Sequence, residues 1–386
     1  MATAAILDKD MEEDMEENGK SKAANIAAAL NAKLKKSMAT TGDSAEAWAI
    51  PRFSTGILSK DVALGGGYPF GRIILEVGHE SSAKTTSVAK AWKSIADYDS
   101  RTKLHKDFVD PEDFEPCVGV YIDAEGAADL NWFRANGVDV DNQVLIRPDN
   151  AISAFDIIHD LVAENKVGLI ILDTLNACCP PEVLDSSIGK NHIGVAARRN
   201  NQFFTKLVST YNDISSRGEI GPTLVVINQL REKVGVMFGS PDVIPGGKGQ
   251  VFYSSIIVRN GSAPIQNDGA VQEAYADCKG RVKKNKTAVP GRAYSYRLCV
   301  NHDHPDFELS EVMTNDKEMF THAVDFGIID TSDKKAIKFR DITTPTQKAM
   351  KERLREDPEV YRQVWRDILF QTTGYKDGAF DIDGGS

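Results

Sequence analysis

Four short apolar runs constrain the fold of this chain more than any other feature: RIILEVG at 72–78, VGVYIDAEG at 118–126, VGLIILDTL at 167–175 and PTLVVINQL at 222–230. Each is rich in Val and Ile and bounded by turn residues, the pattern of strands buried on both faces of a parallel sheet. Stretches of helical length lie between them, at 84–98, 151–165 and 194–214. Repeated strand–helix–strand units with right-handed crossovers predict an α/β fold: a mostly parallel central sheet flanked by helices.

The flanks read differently. Residues 8–17, DKDMEEDMEE, hold seven acidic side chains against one lysine, which predicts a solvated, disordered acidic tail over 1–20. Within 21–50, the stretch SKAANIAAALNAKLKKSM spaces Ile26, Leu30 and Leu34 four apart and ends in lysines. That spacing predicts an amphipathic helix, packed on its own domain or docked on a neighbouring subunit. The core then spans 51–305. Beyond it the strand–helix rhythm fades, and DPEVYRQVWRDILFQT at 357–372 places Val360, Val364, Ile368 and Leu369 on one helix face. Residues 306–375 are therefore expected to form a small α+β domain, with a loose tail at 376–386.

Composition excludes several classes. No apolar run approaches the roughly 18–20 residues that span a bilayer, and the acidic N-terminus is neither a secretory signal nor an Arg-rich transit peptide. The five cysteines, Cys117, Cys178, Cys179, Cys278 and Cys299, show no metal-ligand spacing and read as free thiols of a reducing cytoplasm. A net charge of −10 argues against a uniformly basic nucleic-acid coat but leaves local basic loops open.

The chemistry gathers at strand ends. GHESSAKTT at 78–86 follows the first apolar run and opens a helix, the context that makes G-x-x-x-x-G-K-[ST] a phosphate loop. Gly78, Glu80, Ser81, Ser82, Ala83, Lys84, Thr85 and Thr86 are the candidate nucleotide-binding residues. Backbone N–H groups of 81–86 and the helix dipole would face the phosphates. Lys84 would reach the β- and γ-phosphates, and the Thr85 hydroxyl would ligate Mg²⁺. Ala83 stands where the pattern has its second glycine. Its methyl costs on the order of 1–2 kcal/mol if the position needs positive φ, and little otherwise, so it is expected to tune the site rather than abolish it. Asp173 ends LIILD and can hold the Mg²⁺ shell, or cap the next helix. Asp123 and Glu125 sit at another strand end, with Glu125 the candidate to orient or deprotonate an attacking water. Gln229 ends VVINQ, where a neutral amide can sense a γ-phosphate.

Taken together, FSTGILSKDVALGGGYPFGRI, GHESSAKTT, YIDAEGA, LIILDTL, INQLREKVGVMFGSP and KNKTAVP, in that order over roughly 20–375, resemble the RecA family of bacterial and phage strand-exchange recombinases, which form filaments on single-stranded DNA. The resemblance implies ATP and Mg²⁺ as cofactors and a RecA-type core with an N-terminal oligomerisation helix. As partners it implies single-stranded DNA, homologous duplex DNA and further copies of the chain in a helical filament, in the cytoplasm of a bacterium or of a phage-infected host. Mediator and single-stranded-DNA-binding proteins are left open as further partners.

By the same resemblance, Glu125 matches the catalytic glutamate, Asp173 the metal-binding aspartate, and Gln229 the glutamine that couples ATP to the following DNA loop. Asp129 and Trp132 fall where the family contacts and stacks on adenine. Lys284 and Lys286 match lysines that reach the ATP of a neighbouring subunit, which would stabilise developing charge. Met237, Phe238 and Phe252 match positions of subunit contact. DNA contacts map onto Ile193, Gly194 and Arg198 in a loop at about 180–200, and onto Arg231, Lys233, Val234, Gly246, Gly247 and Lys248 in a loop at about 230–249. Glycines that admit phosphates and cations that hold them carry little base information, so binding should be nearly sequence-independent and salt-sensitive.

Three departures stand out: Ala83, Glu232 inside the second DNA loop, and Thr205 where the family commonly has arginine. The acidic N-terminal run is a further departure, expected to compete with DNA for the binding groove. Two other readings share the phosphate loop and Asp173: a hexameric DNA motor, and a nucleotide-switched coating protein with little turnover.

Overall fold

Strand β1 (Ile73–Gly78) lies inside a nine-stranded sheet whose other members are β2 (Gly119–Asp123), β3 (Val144–Ile146), β4 (Leu169–Asp173), β5 (Thr223–Gln229), β6 (Ile256–Asn260), β7 (Ile265–Asp268), β8 (Val271–Asn285) and β9 (Ala293–Cys299). This computed structural model describes residues 22–34, 50–178, 193–232, 242–313 and 315–373. The strand order is β7-β8-β6-β1-β5-β4-β2-β3, with β9 also paired to β8. Strands β6, β1, β5, β4, β2 and β3 run parallel, and the β8 pairings are antiparallel.

The four apolar runs are β1, β2, β4 and β5, and all residues of β1, β2 and β4 are buried. Their side chains alternate between two cores. Ile74, Leu169 and Ile171 pack with Val88, Trp92 and Ile95 of helix Lys84–Ile95, whereas Leu75, Ile170 and Leu172 pack with Ile158 of Ala151–Glu164 and Phe204 and Leu207 of Ile193–Ser216. Helices on both faces follow from burying continuous apolar strands twice.

Five strands lie outside those runs. β9 alternates exposed and buried residues, and β8 intersperses exposed Lys279, Arg281 and Lys283 with buried Tyr275, Cys278 and Val282. Such half-solvated antiparallel strands lack the continuous Val/Ile run that made the parallel ones legible. β6 is only five residues long and ends in Arg259 and Asn260.

A third core gathers Met319, Phe320, Ile337, Phe339, Met350, Leu354, Val360, Val364 and Ile368. It joins helices Asn315–Asp325, Gln347–Glu356 and Pro358–Thr373 to an antiparallel pair, Ile337–Phe339 with Ile342–Thr344. Val360, Val364 and Ile368 form its buried stripe; the Leu369 side chain lies outside the described residues. Helix Lys22–Leu34 carries Ile26 and Leu30 exposed at 42% and 44%, so among the described residues neither belongs to a buried core. The acidic run at 1–20 and the tail at 376–386 lie outside the described residues. Cys117, Cys178, Cys278 and Cys299 are buried free thiols, and burial pushes the Cys178 thiol up to about 12.

Beneath the phosphate loop sits a fully buried ion pair. Lys60, in helix Leu58–Leu64, places Nζ 2.9 Å from Glu76 Oε1 and donates to Ser87 Oγ at 2.7 Å and Tyr68 Oη at 3.0 Å. The Tyr68 hydroxyl donates to Glu76, Asn260 Nδ2 donates to its other oxygen at 2.7 Å, and Tyr294 Oη donates to Asn260 at 2.8 Å. Each polar group thereby has partners, the condition under which burying a charge is tolerable.

Candidate active site

β1 stops at Gly78 because the chain must fold back on itself there. A Cβ at Gly78 would meet Ser82 Oγ at 2.4 Å and the Asn260 carbonyl at 2.9 Å. The following loop turns through two left-handed non-glycine residues, Ser81 (φ 55°) and Ala83 (φ 55°). Ala83 has ψ 26° and its carbonyl accepts from Ser87 N at 2.9 Å, starting the helix Lys84–Ile95. The position therefore does need positive φ, and the methyl carries the larger of the two costs weighed above, roughly 1–2 kcal/mol. Glycine would remove that strain, while its freer unfolded chain returns roughly 0.4–1 kcal/mol. Ala83→Gly is thus expected to stabilise the fold by roughly 0–1.6 kcal/mol. Urea unfolding checks this; a loss above about 2 kcal/mol would contradict it.

The loop and the ends of β2, β4 and β5 enclose a cavity of about 530 Å³. Glu80, Ser81, Ser82, Ala83, Lys84, Thr85, Thr86, Glu125, Asp129, Trp132, Asp173 and Gln229 all line it. Parallel strands deliver these residues to one rim because their carboxyl ends point the same way. Lys84 is buried and donates to the His79 carbonyl at 2.5 Å and Ser82 Oγ at 3.2 Å, with no carboxylate at ion-pair distance among the described residues. Burial holds its ammonium below the ordinary lysine value, and the charges of Asp173 and Glu125 oppose that shift. A buried ammonium so placed, beside loop amides at a helix start, fits a polyphosphate.

Thr85 Oγ1 donates to Asp173 Oδ2 at 3.0 Å, and the Tyr121 hydroxyl donates to the same oxygen. Burial raises the Asp173 carboxyl, aided by the charge of Asp123 and opposed by those two hydrogen bonds. A hydroxyl and a carboxylate held together are oxygen donors suited to Mg²⁺. Asp123, by contrast, is engaged in holding its own turn: it accepts from Gly126 N at 2.7 Å, Ala128 N at 3.0 Å and Arg147 Nε at 3.2 Å. Glu125 is exposed at the cavity mouth, its carboxyl raised by partial burial and then by Asp173 and Asp123. Asp129 caps helix Leu130–Ala135, accepting from Asn131 N at 2.8 Å, and Trp132 is half-buried one turn on.

The rim connects outward through residues that the sequence reading did not single out. Buried Asn228 donates to Gln250 Oε1 at 2.8 Å and to the Pro245 carbonyl at 3.0 Å. Asn200, on helix Ile193–Ser216, donates to the Gly246 carbonyl at 2.9 Å. Gly246 and Gly247 adopt φ 92° and 90°, and a Cβ on Gly247 would lie 3.0 Å from Ala197 Cβ. The flanks of both expected DNA loops are thereby joined to each other and to the strand that ends in Gln229. Gly194, Arg198, Arg231 and Lys248 are exposed around this junction. Lys233, Val234, Met237 and Phe238, and the Ile193 side chain, lie outside the described residues. Thr205 Oγ1 donates to the Asn201 carbonyl at 2.8 Å and shares a hydrogen bond with Tyr253 Oη at 3.0 Å, a local bracing role.

Lys284 and Lys286 are not in the cavity. Lys284 is near the end of β8 and Lys286 directly follows the strand; Lys284 donates to the carbonyls of Val251 and Phe252 at 2.8 and 3.0 Å, and burial with the neighbouring Lys286 charge lowers its ammonium. Phe252 beside them is 69% exposed. Among the described residues no helix is long and apolar enough to cross a membrane.

Comparison with known proteins agrees with this geometry. Residues 24–302, which include all nine strands of the sheet, match the RecA N-terminal domain. The chain is 34% identical over 283 residues to Protein RecA, chromosomal, of Lactococcus lactis subsp. lactis, covering 72% of this chain and 65% of that protein. It is 36% identical over 245 residues to Protein RecA of Streptococcus gordonii, covering 61% and 57%. The chain thus aligns with less than two thirds of the length of these relatives. With its phosphate loop on β1, acids on β2 and β4 and glutamine on β5, the chain belongs to the RecA family.

Proposed function

We propose that this chain is an ATP-dependent homologous-recombination protein of the cytoplasm that polymerises on single-stranded DNA, pairs it with homologous duplex and exchanges strands. The observation that carries the reading is the shared end of β5: Gln229 lines the cavity, while Asn228 next to it holds the exit of the second candidate DNA loop. A change at the γ-phosphate can move that exit without a second relay.

In this reading the loop amides and Lys84 hold the phosphates, and Trp132 and Asp129 receive the adenine. Thr85 and Asp173 would hold Mg²⁺, which supplies charge neutralisation of the phosphates when bound. Glu125 orients and deprotonates the attacking water, its raised carboxyl making it the stronger base. Lys284 and Lys286, outside their own cavity, serve that of the neighbouring subunit, whose contact would cover Phe252, Ile26 and Leu30. Ile193, Gly194, Arg198, Arg231, Lys233, Val234, Gly246, Gly247 and Lys248 contact DNA, the cations setting a steep salt dependence.

Electron microscopy of the chain on single-stranded DNA tests this. Helical filaments are expected with Mg²⁺ and ATP, fewer or none with ADP. Closed rings would favour the hexameric motor, and no nucleotide-dependent assembly would overturn the reading.

A further inference from the structure

The side chains of His79 and Glu232 have no part in the nucleotide chemistry above, yet they meet. His79 follows directly on β1, and Glu232 faces Asp242 in the antiparallel pair Arg231–Glu232 with Asp242–Val243. Among the described residues, these three bring ligand atoms within 4.8 Å of one another. His79 Nε2 is already 3.0 Å from Asp242 Oδ1, and Arg259 donates to the other Asp242 oxygen. Two carboxylates directly opposite on paired strands repel. Arg259 offsets the Asp242 charge from its far oxygen, and a cation between the strands would offset that of Glu232 as well.

We propose that His79, Glu232 and Asp242 form a binding site for a divalent transition-metal cation, Zn²⁺ or a relative. One imidazole with two carboxylates suits such ions better than Mg²⁺ or Ca²⁺, which take oxygen donors. Ligands about 2.0–2.2 Å from a common ion lie roughly 3–4 Å apart. The imidazole–carboxylate pair is nearly at that spacing, and rotation of the exposed Glu232 brings in the third donor. Arg259, on the far oxygen, fixes the orientation of the Asp242 carboxylate, as outer partners of metal ligands do. Asp242 is largely buried while His79 is half-exposed, so the ion has a fixed anchor and an open approach, with water completing its shell. The consequence is mechanical. The ion would fasten both ends of segment 233–241 to the phosphate loop, which begins at the residue before His79.

The site stands on this cluster alone, and its test needs neither nucleotide nor DNA. Full-length chain is titrated with Co²⁺ near neutral pH and followed by its visible absorption, then back-titrated with Zn²⁺. One equivalent is expected to bind, to be displaced by Zn²⁺, and to persist in millimolar Mg²⁺. His79→Ala and Glu232→Gln, both at exposed positions that should fold normally, are each expected to weaken binding tenfold or more. Thr85→Ala should leave it unchanged. No saturable binding, or binding of equal strength in His79→Ala, would overturn the site.

Discussion

Glu125→Gln is expected to slow DNA-stimulated phosphate release by roughly 10²–10⁴-fold, the range of a lost general base, while nucleotide binding changes by no more than a few fold. The argument is one of position. Glu125 is exposed at the cavity mouth, and its backbone N–H, which glutamine keeps, donates to the Asp173 carbonyl at 3.2 Å. The amide therefore preserves the turn and the cavity walls. What it removes is a carboxylate whose proton affinity is raised by partial burial and by Asp173 and Asp123. Stopped-flow phosphate release and fluorescent-nucleotide binding on the same preparation separate the two effects. Turnover above about a tenth of wild type would assign the base elsewhere; lost binding would make Glu125 a structural residue.

The second large effect is on stability. Lys60→Met should destabilise the fold by about 3–5 kcal/mol, because removing one partner of a buried pair leaves an uncompensated charge. Glu76 would keep its bonds from Tyr68 and Asn260 but lose its cation, in a site with both side chains fully buried. The same network touches Ser87 in the helix that follows the phosphate loop, so nucleotide affinity should fall along with stability. A thermal midpoint lowered by on the order of 10 °C is expected. A midpoint within about 2 °C of wild type would mean the network contributes little.

Those two residues also mark what the sequence discloses. Glu125 was legible because it follows the end of an apolar strand, two residues past Asp123, and parallel strands gather their carboxyl ends at one rim. The same logic located Asp173 and Gln229. Lys60 was not legible: in SKDVAL a lysine reads as solvated, and only the fold brings Glu76 of β1, Tyr68 and Ser87 to it. Asn228 and Gln250 were missed for a related reason. Their signal was a polar residue inside the otherwise apolar β5, yet which segment it would grip depends on a return of the chain 22 residues later. Ala83 lay between the two cases. The sequence set out the cost of either backbone conformation, and the left-handed φ selected one.

The central claim is that ATP turnover at this cavity is coupled to DNA at the loops held by Asn228 and Asn200. The most direct measurement is phosphate release by the wild-type chain with and without single-stranded DNA, in Mg²⁺ and ATP. Low turnover alone and strong stimulation by DNA are expected, since on the proposed reading Lys284 and Lys286, which do not line their own cavity, would reach ATP only across an assembled interface. Turnover that is equal with and without DNA, or absent in both, would contradict the coupling.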